Sequence, residues 1–206
     1  MSKPKILLAD AFGIGVRCNI AEGEENFSRE TRTGLDRMRL IFDQAGRVEF
    51  AQGMISPDQF LSALNERLRT PITMWELVCL WTSTYEVQHD LEAEFGASGM
   101  PPFVWCSHGS AFDFDWLRAR RLHKWNGCRG IFMSGPGRIK SRPAYYDLLR
   151  LHLSTKVLCE ELDFSDMVMI DTSIENVGCA RSLGIDARVL SPFGVRGMLQ
   201  DLRQRA

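Results

Sequence analysis

The second half of the chain alternates short apolar runs with longer stretches in which apolar residues recur at helical spacing. The short runs have the length of buried strands, and the longer stretches have the length of helices. The predicted strands lie at residues 103–106, 131–133, 167–170 and 187–190, and the predicted helices at about 112–124, 144–160, 174–183 and 194–205. Strands that alternate with helices indicate a parallel sheet covered by helices on both faces.

The first half of the chain has a different pattern. One apolar run at residues 6–9 ends in Asp10 and breaks into a glycine-containing turn, which predicts a buried first strand. From about 17 to 95 the apolar residues keep helical spacing, so we expect no comparable strand between Asp10 and Phe103. A helical insertion therefore follows the first strand, and the chain then returns to the sheet.

Local signals support this division of the chain. Ser56 followed by Pro57 fits a helix start, with the serine as N-cap and the proline in the first helical position. The segment 96–102 is rich in glycine and proline and fits a linker. We predict a core domain of residues 1–16 and 97–206 and a helical cap of residues 17–96.

Composition excludes several partner classes. The 206 residues carry a net charge of -1 and the basic residues are dispersed, so we expect neither a nucleic-acid nor a membrane partner. The six cysteines form no CxxC pair and no zinc-ligand spacing, which favours reduced thiols and a soluble, cytoplasmic protein. The chain is long enough for one globular body, either as a monomer or as a homodimer.

Two acidic residues follow apolar runs at the predicted strand ends. Asp10 ends the first strand, and Asp171 follows the run 167–170. In an open parallel sheet, ligands bind outside the carboxyl ends of the strands. These two carboxylates can therefore meet at one edge, and Ser107 and Lys140 are candidates for the same site.

Four segments in this order resemble the motifs of the haloacid dehalogenase (HAD) superfamily. They are Ile6-Leu7-Leu8-Ala9-Asp10-Ala11-Phe12-Gly13, Val104-Trp105-Cys106-Ser107, Gly137-Arg138-Ile139-Lys140 with Tyr146 beyond it, and the stretch that runs from Met169-Ile170-Asp171 to Leu183-Gly184-Ile185. The insertion is similar to the small helical cap of bacterial HAD phosphatases that act on sugar phosphates. The resemblance implies an α/β fold with a Rossmann-like parallel sheet of about five strands. In that fold the first strand is central, between strands ending in Ser107 and Ser134 on one side and in Asp171 and Leu190 on the other.

The resemblance also implies roles for single residues. Asp10 corresponds to the nucleophile, a role that suits a carboxylate because it is already ionised at neutral pH. Ser107 and the backbone amides of His108 and Gly109 would hold an anionic group, although Ser107 could instead be an ordinary helix N-cap. Lys140 would neutralise the nucleophile and the transferring phosphoryl group.

Two of these assignments have rivals. Family members usually place a proline directly after the lysine, whereas here the sequence is Lys140-Ser141-Arg142-Pro143, so Arg142 is a rival phosphate-binding cation. A Mg²⁺ ion would be held by Asp10, the backbone carbonyl of Phe12 and Asp171. Many relatives carry a second acid directly after the first, where this chain has Thr172.

The residue two positions after the nucleophile departs from the phosphatase pattern. HAD phosphatases usually have a second aspartate there, which protonates the leaving alcohol, and this chain has Phe12. Losing a general acid costs about 10²- to 10⁴-fold in rate. The sequence Asp10-Ala11-Phe12-Gly13 is similar to the dehalogenase form of the motif, whereas the cap resembles the phosphatase type, although Ala51 stands where such caps tend to carry glutamate.

Three hypotheses therefore stay open. The first is a Mg²⁺-dependent phosphatase-type hydrolase, of impaired or unusual activity, on a phosphorylated small molecule. The second is a dehalogenase-like hydrolase of a non-phosphate bond, and the third is a non-catalytic protein that binds a ligand or partner. In the cap, four aromatic residues are expected in the core or, alternatively, in a substrate pocket: Phe60, Trp75, Trp81 and Tyr85.

Overall fold

The computed structural model describes residues 4–133, 139–190 and 194–205. In chain order its strands and helices are β1 (Ile6–Asp10), β2 (Val16–Cys18), α1 (Ile20–Glu30), α2 (Leu35–Gln44), α3 (Arg47–Ala51), α4 (Pro57–Asn65), α5 (Met74–Thr82), β3 (Tyr85–Val87), α6 (Glu92–Phe95), β4 (Phe103–Ser107), α7 (Ala111–Ala119), β5 (Cys128–Met133), α8 (Pro143–His152), β6 (Met167–Asp171), α9 (Ile174–Ser182), β7 (Asp186–Val189) and α10 (Val195–Arg205).

A five-stranded parallel sheet forms the centre of the molecule, in the order β5-β4-β1-β6-β7. The first strand is central, as predicted, with β4 on one side and β6 on the other. The predicted end of β5 at Ser134 lies outside the described residues. The chain adds β4 and β5 on one side of β1 and then β6 and β7 on the other side. A ligand crevice is expected where the strand order switches sides, at the carboxyl ends of β1, β4 and β6.

The central strand is buried on both faces. Leu7 and Ala9 pack in one apolar cluster with α7 and α10, and Ile6 and Leu8 pack in a second cluster with α8 and α9. This two-sided burial follows from the helices that cross over between parallel strands. It also explains why the sequence of β1 is a continuous apolar run and does not alternate.

The helical insertion carries its own apolar core and a short sheet at its base. Helices α1 to α5 lie between β2 and β3, which pair in antiparallel fashion. The expectation that no strand comparable to those of the main sheet lies between Asp10 and Phe103 holds, but the sequence pattern did not predict these two short strands. Each of these strands has three residues, which is too short for a recognisable pattern. Arg17 and Cys18 of β2 are exposed, and β3 has one exposed residue between two partly buried ones.

The helix starts follow the predicted capping chemistry. The Ser56 hydroxyl accepts from the backbone N–H of Gln59, and the Gln59 side chain accepts from the Ser56 N–H, with Pro57 in the first turn. Such a reciprocal cap satisfies two of the amides that a helix start leaves open. The predicted helix at 112–124 ends earlier, at Ala119, and Arg121 then adopts a left-handed conformation.

Two further findings concern the chain as a whole. The six cysteines all have free thiols. Within residues 4–133, 139–190 and 194–205, no helix combines the length and the apolar composition needed to cross a bilayer.

Candidate active site

The two strand-end carboxylates lie side by side at one edge of the sheet. Ala9 is in register with Ile170, so the next residues, Asp10 and Asp171, leave their strands together. Both are buried, with exposed fractions of 4% and 1%. The prediction that these residues meet at one edge is confirmed.

Lys140 is a buried cation that bridges the two carboxylates. Its Nζ forms an ion pair with Oδ1 of Asp10 and donates to Oδ2 of Asp171 at 2.7 Å. Arg142, the rival cation, is exposed and occupies the N-cap position of α8. The prediction that Lys140, and not Arg142, faces Asp10 is confirmed. Gly137 and Arg138, from the same motif, lie outside the described residues.

Asp171 accepts hydrogen bonds on both oxygens. Oδ1 accepts from the backbone N–H of Ser173 at 2.8 Å and from Nδ2 of Asn176 at 3.1 Å. Oδ2 accepts from Lys140 and again from Asn176, at 3.2 Å. A carboxylate has about four lone-pair positions, so these contacts use its acceptor capacity. Sequence reasoning missed Asn176, although its place in the first turn of α9, next to the strand end, could have indicated a partner for Asp171.

Asp10 is held more loosely. Its Oδ1 is paired with Lys140, whereas its Oδ2 accepts from the hydroxyl of Thr172 at 3.3 Å. Gly13 lies against the same oxygen with φ +113°, and a Cβ added there would be 3.0 Å from Oδ2 and 2.6 Å from the Thr172 hydroxyl oxygen. A side chain at position 13 would therefore cover the less restrained oxygen of Asp10.

Charge and burial shift the pKa values of this cluster. Burial raises the pKa of Asp10 to about 6, although Lys140 opposes the rise, and the neighbouring Asp171 carboxylate adds to it. Burial disfavours the Lys140 ammonium, but Asp10 and Asp171 outweigh this and raise the pKa of Lys140. At neutral pH the lysine is charged and Asp10 is ionised. Two carboxylates and one ammonium then give the cluster a net charge of about -1.

Ser107 ends β4 and is buried beside the cluster. Its hydroxyl donates to the carbonyl of His108 at 3.1 Å, and its own carbonyl accepts from the Tyr145 hydroxyl at 3.2 Å. The N-cap of α7 is Ser110, so the alternative interpretation of Ser107 as that N-cap was wrong. Its predicted role toward an anionic group stays a prediction.

His108 and Gly109 form the loop that follows Ser107. The backbone N–H of Lys140 donates to Nδ1 of His108 at 3.4 Å, which places the hydrogen of a neutral imidazole on Nε2. Burial, with Lys140 nearby, lowers the pKa of His108 to about 4, so the ring is neutral at pH 7. Gly53 of the insertion approaches this loop so closely that a Cβ would lie 2.6 Å from the Gly109 carbonyl oxygen.

Phe12 packs against the insertion. Its ring meets the edge of Tyr85 at 5.1 Å between centroids, and the Tyr85 hydroxyl donates to Asp113 at 2.7 Å. Asp113 also accepts from the Trp81 indole N–H and from the N–H and hydroxyl of Ser110. This buried carboxylate on α7 ties the insertion to the core, and sequence reasoning missed it.

A cavity of about 580 Å³ lies between the insertion and the strand-end loops. Phe12, Gly13 and His108 line it on the core side. Its apolar wall comes from Phe27, Phe42, Val48, Ala51, Leu80 and Trp81 of the insertion. Of the four aromatic residues with two open interpretations, Trp81 and Tyr85 line this cavity and Phe60 lies in the apolar core of the insertion. Trp75 is 75% exposed, which neither interpretation expected.

The predicted magnesium ligands can be compared with the donors around them. Asp171 directs its oxygens at Lys140, Ser173 and Asn176, and Thr172 stands against Asp10. Among the described residues, no group of three or more histidine, cysteine, aspartate or glutamate side chains is placed to hold a metal ion. Mg²⁺ prefers carboxylate oxygens with free lone pairs, and this arrangement does not fit it.

Neither a protein-family model nor a curated protein matches this chain. Solved structures do match it. A HAD family enzyme of Bacteroides thetaiotaomicron superposes with a TM-score of 0.72 at 15% identity, over 91% of this chain and 94% of that chain. Its magnesium complex gives a TM-score of 0.71 at 16% identity, over 93% of this chain and 95% of that chain.

Two other structural neighbours carry more specific names. A HAD phosphatase from Thermococcus onnurineus has a TM-score of 0.61 at 15% identity, over 95% of this chain and 97% of that chain. The L-2-haloacid dehalogenase of Xanthobacter autotrophicus has a TM-score of 0.60 at 13% identity, over 98% of this chain and 86% of that chain. Similarity at these identities establishes the fold. The chain has the HAD fold, as its four motifs predict.

Proposed function

We propose that this HAD-fold protein is a hydrolase in which Oδ2 of Asp10 attacks an electrophilic centre of a small organic substrate. The observation that carries the proposal is that the two oxygens of Asp10 have different contacts. Oδ1 is fixed by Lys140, whereas Oδ2 faces Gly13, a residue that lines the cavity. A carboxylate fixed at one oxygen and less restrained at the other is oriented for nucleophilic attack.

Lys140 has two functions in this proposal. It orients the nucleophile through Oδ1, and its charge offsets the negative charge that approaches during the reaction. His108, in the loop that follows Ser107, lines the same cavity, and its Nε2–H and backbone amide are donors for a leaving group. The exposed Arg142 has no role in the proposed site.

The cavity between the insertion and the core would hold the substrate. Its volume of about 580 Å³ is in the range of small-molecule sites, and its walls are mainly aromatic and aliphatic. Ile20 and Val48 line it and are largely exposed, so we place its opening to solvent at these residues. A small organic molecule is the partner that fits this space.

Two reaction types share this nucleophile. Hydrolysis of a phosphate ester is suggested by the Bacteroides enzyme, whose structures include a complex with magnesium and inorganic phosphate. Displacement at carbon is suggested by the dehalogenase neighbour and by Phe12, which cannot protonate a leaving alcohol. Leaving groups that depart as stable anions need no such acid.

The test is the dependence of turnover on Asp10. The purified protein is assayed with p-nitrophenyl phosphate, 2-bromohexanoate and 1-bromohexane, and the quenched protein is digested to find a mass adduct on the peptide that contains Asp10. We expect turnover of at least one probe, an adduct on that peptide, and loss of both in Asp10→Asn. Asp147→Asn is the matched control, because Asp147 is an exposed aspartate on α8. Turnover that survives Asp10→Asn would refute Asp10 as the nucleophile.

A further inference from the structure

We infer that the substrate is an amphiphile, whose reacting end lies at the strand-end loops and whose uncharged tail lies along the insertion and leaves the cavity between Ile20 and Val48. The inference rests on the proposed function, because it takes the loop at Asp10 as the place of the reacting end. It goes further by naming the chemistry of the rest of the substrate and by assigning the choice of substrate to the insertion.

The first support is the apolar wall of the cavity. Its six residues belong to four different helices of the insertion, α1, α2, α3 and α5. Two of them, Phe27 and Phe42, are buried members of the apolar core of the insertion, so the cavity reaches into that core. An alkyl or aryl chain in this space loses its contact with water, and each methylene should strengthen binding by about fourfold.

The second support is that the charged groups along the cavity already have partners. Glu24 accepts from Arg39 at 2.7 Å and from Arg47, and Arg47 also lies 3.5 Å from Asp43. Asp113 accepts four hydrogen bonds. Glu24, Arg47 and Asp113 are the carboxylate and guanidinium groups among the described lining residues. A charge on the tail would have to break one of these contacts or lie in the cavity without a partner, and both are costly.

The third support is the composition of the opening. Ile20 begins α1 and Val48 lies in α3, with exposed fractions of 64% and 57%, and both line the cavity. A single exposed apolar residue is common on a protein surface and needs no explanation. Two such residues at one opening extend the apolar wall to the solvent. A tail that is longer than the cavity therefore keeps apolar contacts where it leaves.

The core side of the cavity provides the chemistry for the other end of the substrate. Gly13 lies against Oδ2 of Asp10, and His108 presents a neutral imidazole. A reactive carboxylate and a neutral donor suit a polar group that undergoes the reaction. With the apolar wall beyond them, they select a molecule that has one polar reacting group on an apolar tail.

Binding is tested by isothermal titration calorimetry with primary alcohols, because an alcohol is the organic product of both reaction types. 1-Hexanol, 1-octanol and 1-decanol are titrated into the parent and into Asp10→Asn, so that the result does not depend on turnover. We expect the dissociation constant to fall by about fourfold for each methylene in both proteins. As the charged counterpart of 1-hexanol, 6-hydroxyhexanoate should bind about tenfold more weakly or worse.

Three results of this titration would overturn the inference. They are the absence of binding, an affinity that does not change with chain length, and tighter binding of 6-hydroxyhexanoate than of 1-hexanol. Failure of Asp10 as the nucleophile is a separate result, because it is read from turnover and leaves the alcohol series unchanged.

The place of the tail is tested with variants of the insertion. Val48→Thr keeps the side-chain shape and should weaken 1-decanol by about fourfold, and 1-hexanol less. Leu40→Thr is the matched control, because Leu40 is 55% exposed on α2 and does not line the cavity. Ala51→Phe should fill the cavity and weaken 1-octanol by about tenfold or more, whereas Phe at the exposed Ala119 of α7 should have no effect. Equal effects of Val48→Thr and Leu40→Thr would overturn the exit of the tail, and parent affinity in Ala51→Phe would overturn its place along the insertion.

Discussion

β1 and β6 each end in a buried aspartate at the same edge of the sheet, but the two carboxylates accept different numbers of hydrogen bonds. Asp171 receives hydrogen bonds on both oxygens from Lys140, Ser173 and Asn176. Asp10 has one oxygen in an ion pair and the other beside a single hydroxyl and a glycine. Two residues with equal burial and equal strand position therefore differ in the number of donors that surround them.

In the proposed function, this difference separates a structural carboxylate, Asp171, from a reactive one, Asp10. The donors on both oxygens hold Asp171 at the start of α9, so we expect this carboxylate to contribute to the fold. Burial raises the pKa of Asp10, and Lys140 and the Thr172 hydroxyl oppose the rise. The position of an aspartate at a strand end thus predicts proximity to a site, and its donors decide its role.

The largest expected effect comes from Asp10→Asn. The amide cannot act as a carboxylate nucleophile, so turnover should fall by about 10⁴-fold or more, equal to roughly 5.5 kcal/mol. The fold should persist, because Lys140 keeps its pair with Asp171. Initial rates and thermal unfolding of the same preparations measure both quantities. A variant that unfolds together with its loss of turnover would contradict the assignment of Asp10 as the reactive member of the pair.

Asp171→Asn should have the opposite profile, with its main effect on stability. The amide places a donor against Lys140 or Asn176, and a buried donor left without an acceptor costs about 1–3 kcal/mol. Chemical denaturation should show this loss, with Asp186→Asn as a control at a partly exposed aspartate in β7. Equal stability of the Asp171 variant and the parent would show that the dense bonding of Asp171 has no structural role.

The resemblance to the HAD motifs was sufficient to predict the sheet order and the place of Lys140, and the strand-end positions were sufficient to predict that Asp10 and Asp171 meet. The sequence was not sufficient to find Asn176 as a partner of Asp171, or Asp113 as the contact to the insertion, because these depend on where side chains point. Trp75 shows the same limit. Its helical spacing predicted a place in the core or the pocket with the other aromatic residues of the cap, yet its side chain faces solvent.

A smaller effect is expected from Gly13→Ala. An added Cβ would lie within contact of Asp10 Oδ2 and the Thr172 hydroxyl, so it should shield the nucleophilic oxygen. A displacement of about 1 Å at a reacting group costs roughly 10²-fold in rate. Gly99→Ala is the matched control, because Gly99 also has positive φ but no atom within 4 Å of an added Cβ. Equal loss of turnover in both variants would trace the effect to backbone strain and not to Asp10.

The pH dependence of turnover should report on Asp10. Its pKa is raised to about 6 in the folded protein, and the ionised form is the proposed nucleophile. The rate should therefore rise with pH through about 6 and fall about tenfold for each unit below it. His108 has a pKa lowered to about 4, so its titration lies below this range. A rate that stays constant from pH 7 down to pH 5 would contradict an Asp10 nucleophile with a raised pKa.

The smallest expected effect is that of Thr172→Val, which removes the hydroxyl from the Oδ2 side of Asp10 and keeps the side-chain shape. The hydroxyl favours the ionised form of Asp10, so its removal should move the midpoint of the rate profile above about 6. The stability should change by about 1 kcal/mol or less, because one hydrogen bond is lost from an oxygen that keeps little other contact. Thr172→Ser retains the hydroxyl and should leave the midpoint in place. A midpoint that is the same in the valine variant and the parent would mean that Thr172 does not act on Asp10. The contrast with Asp171 would then depend on Lys140, Ser173 and Asn176 alone.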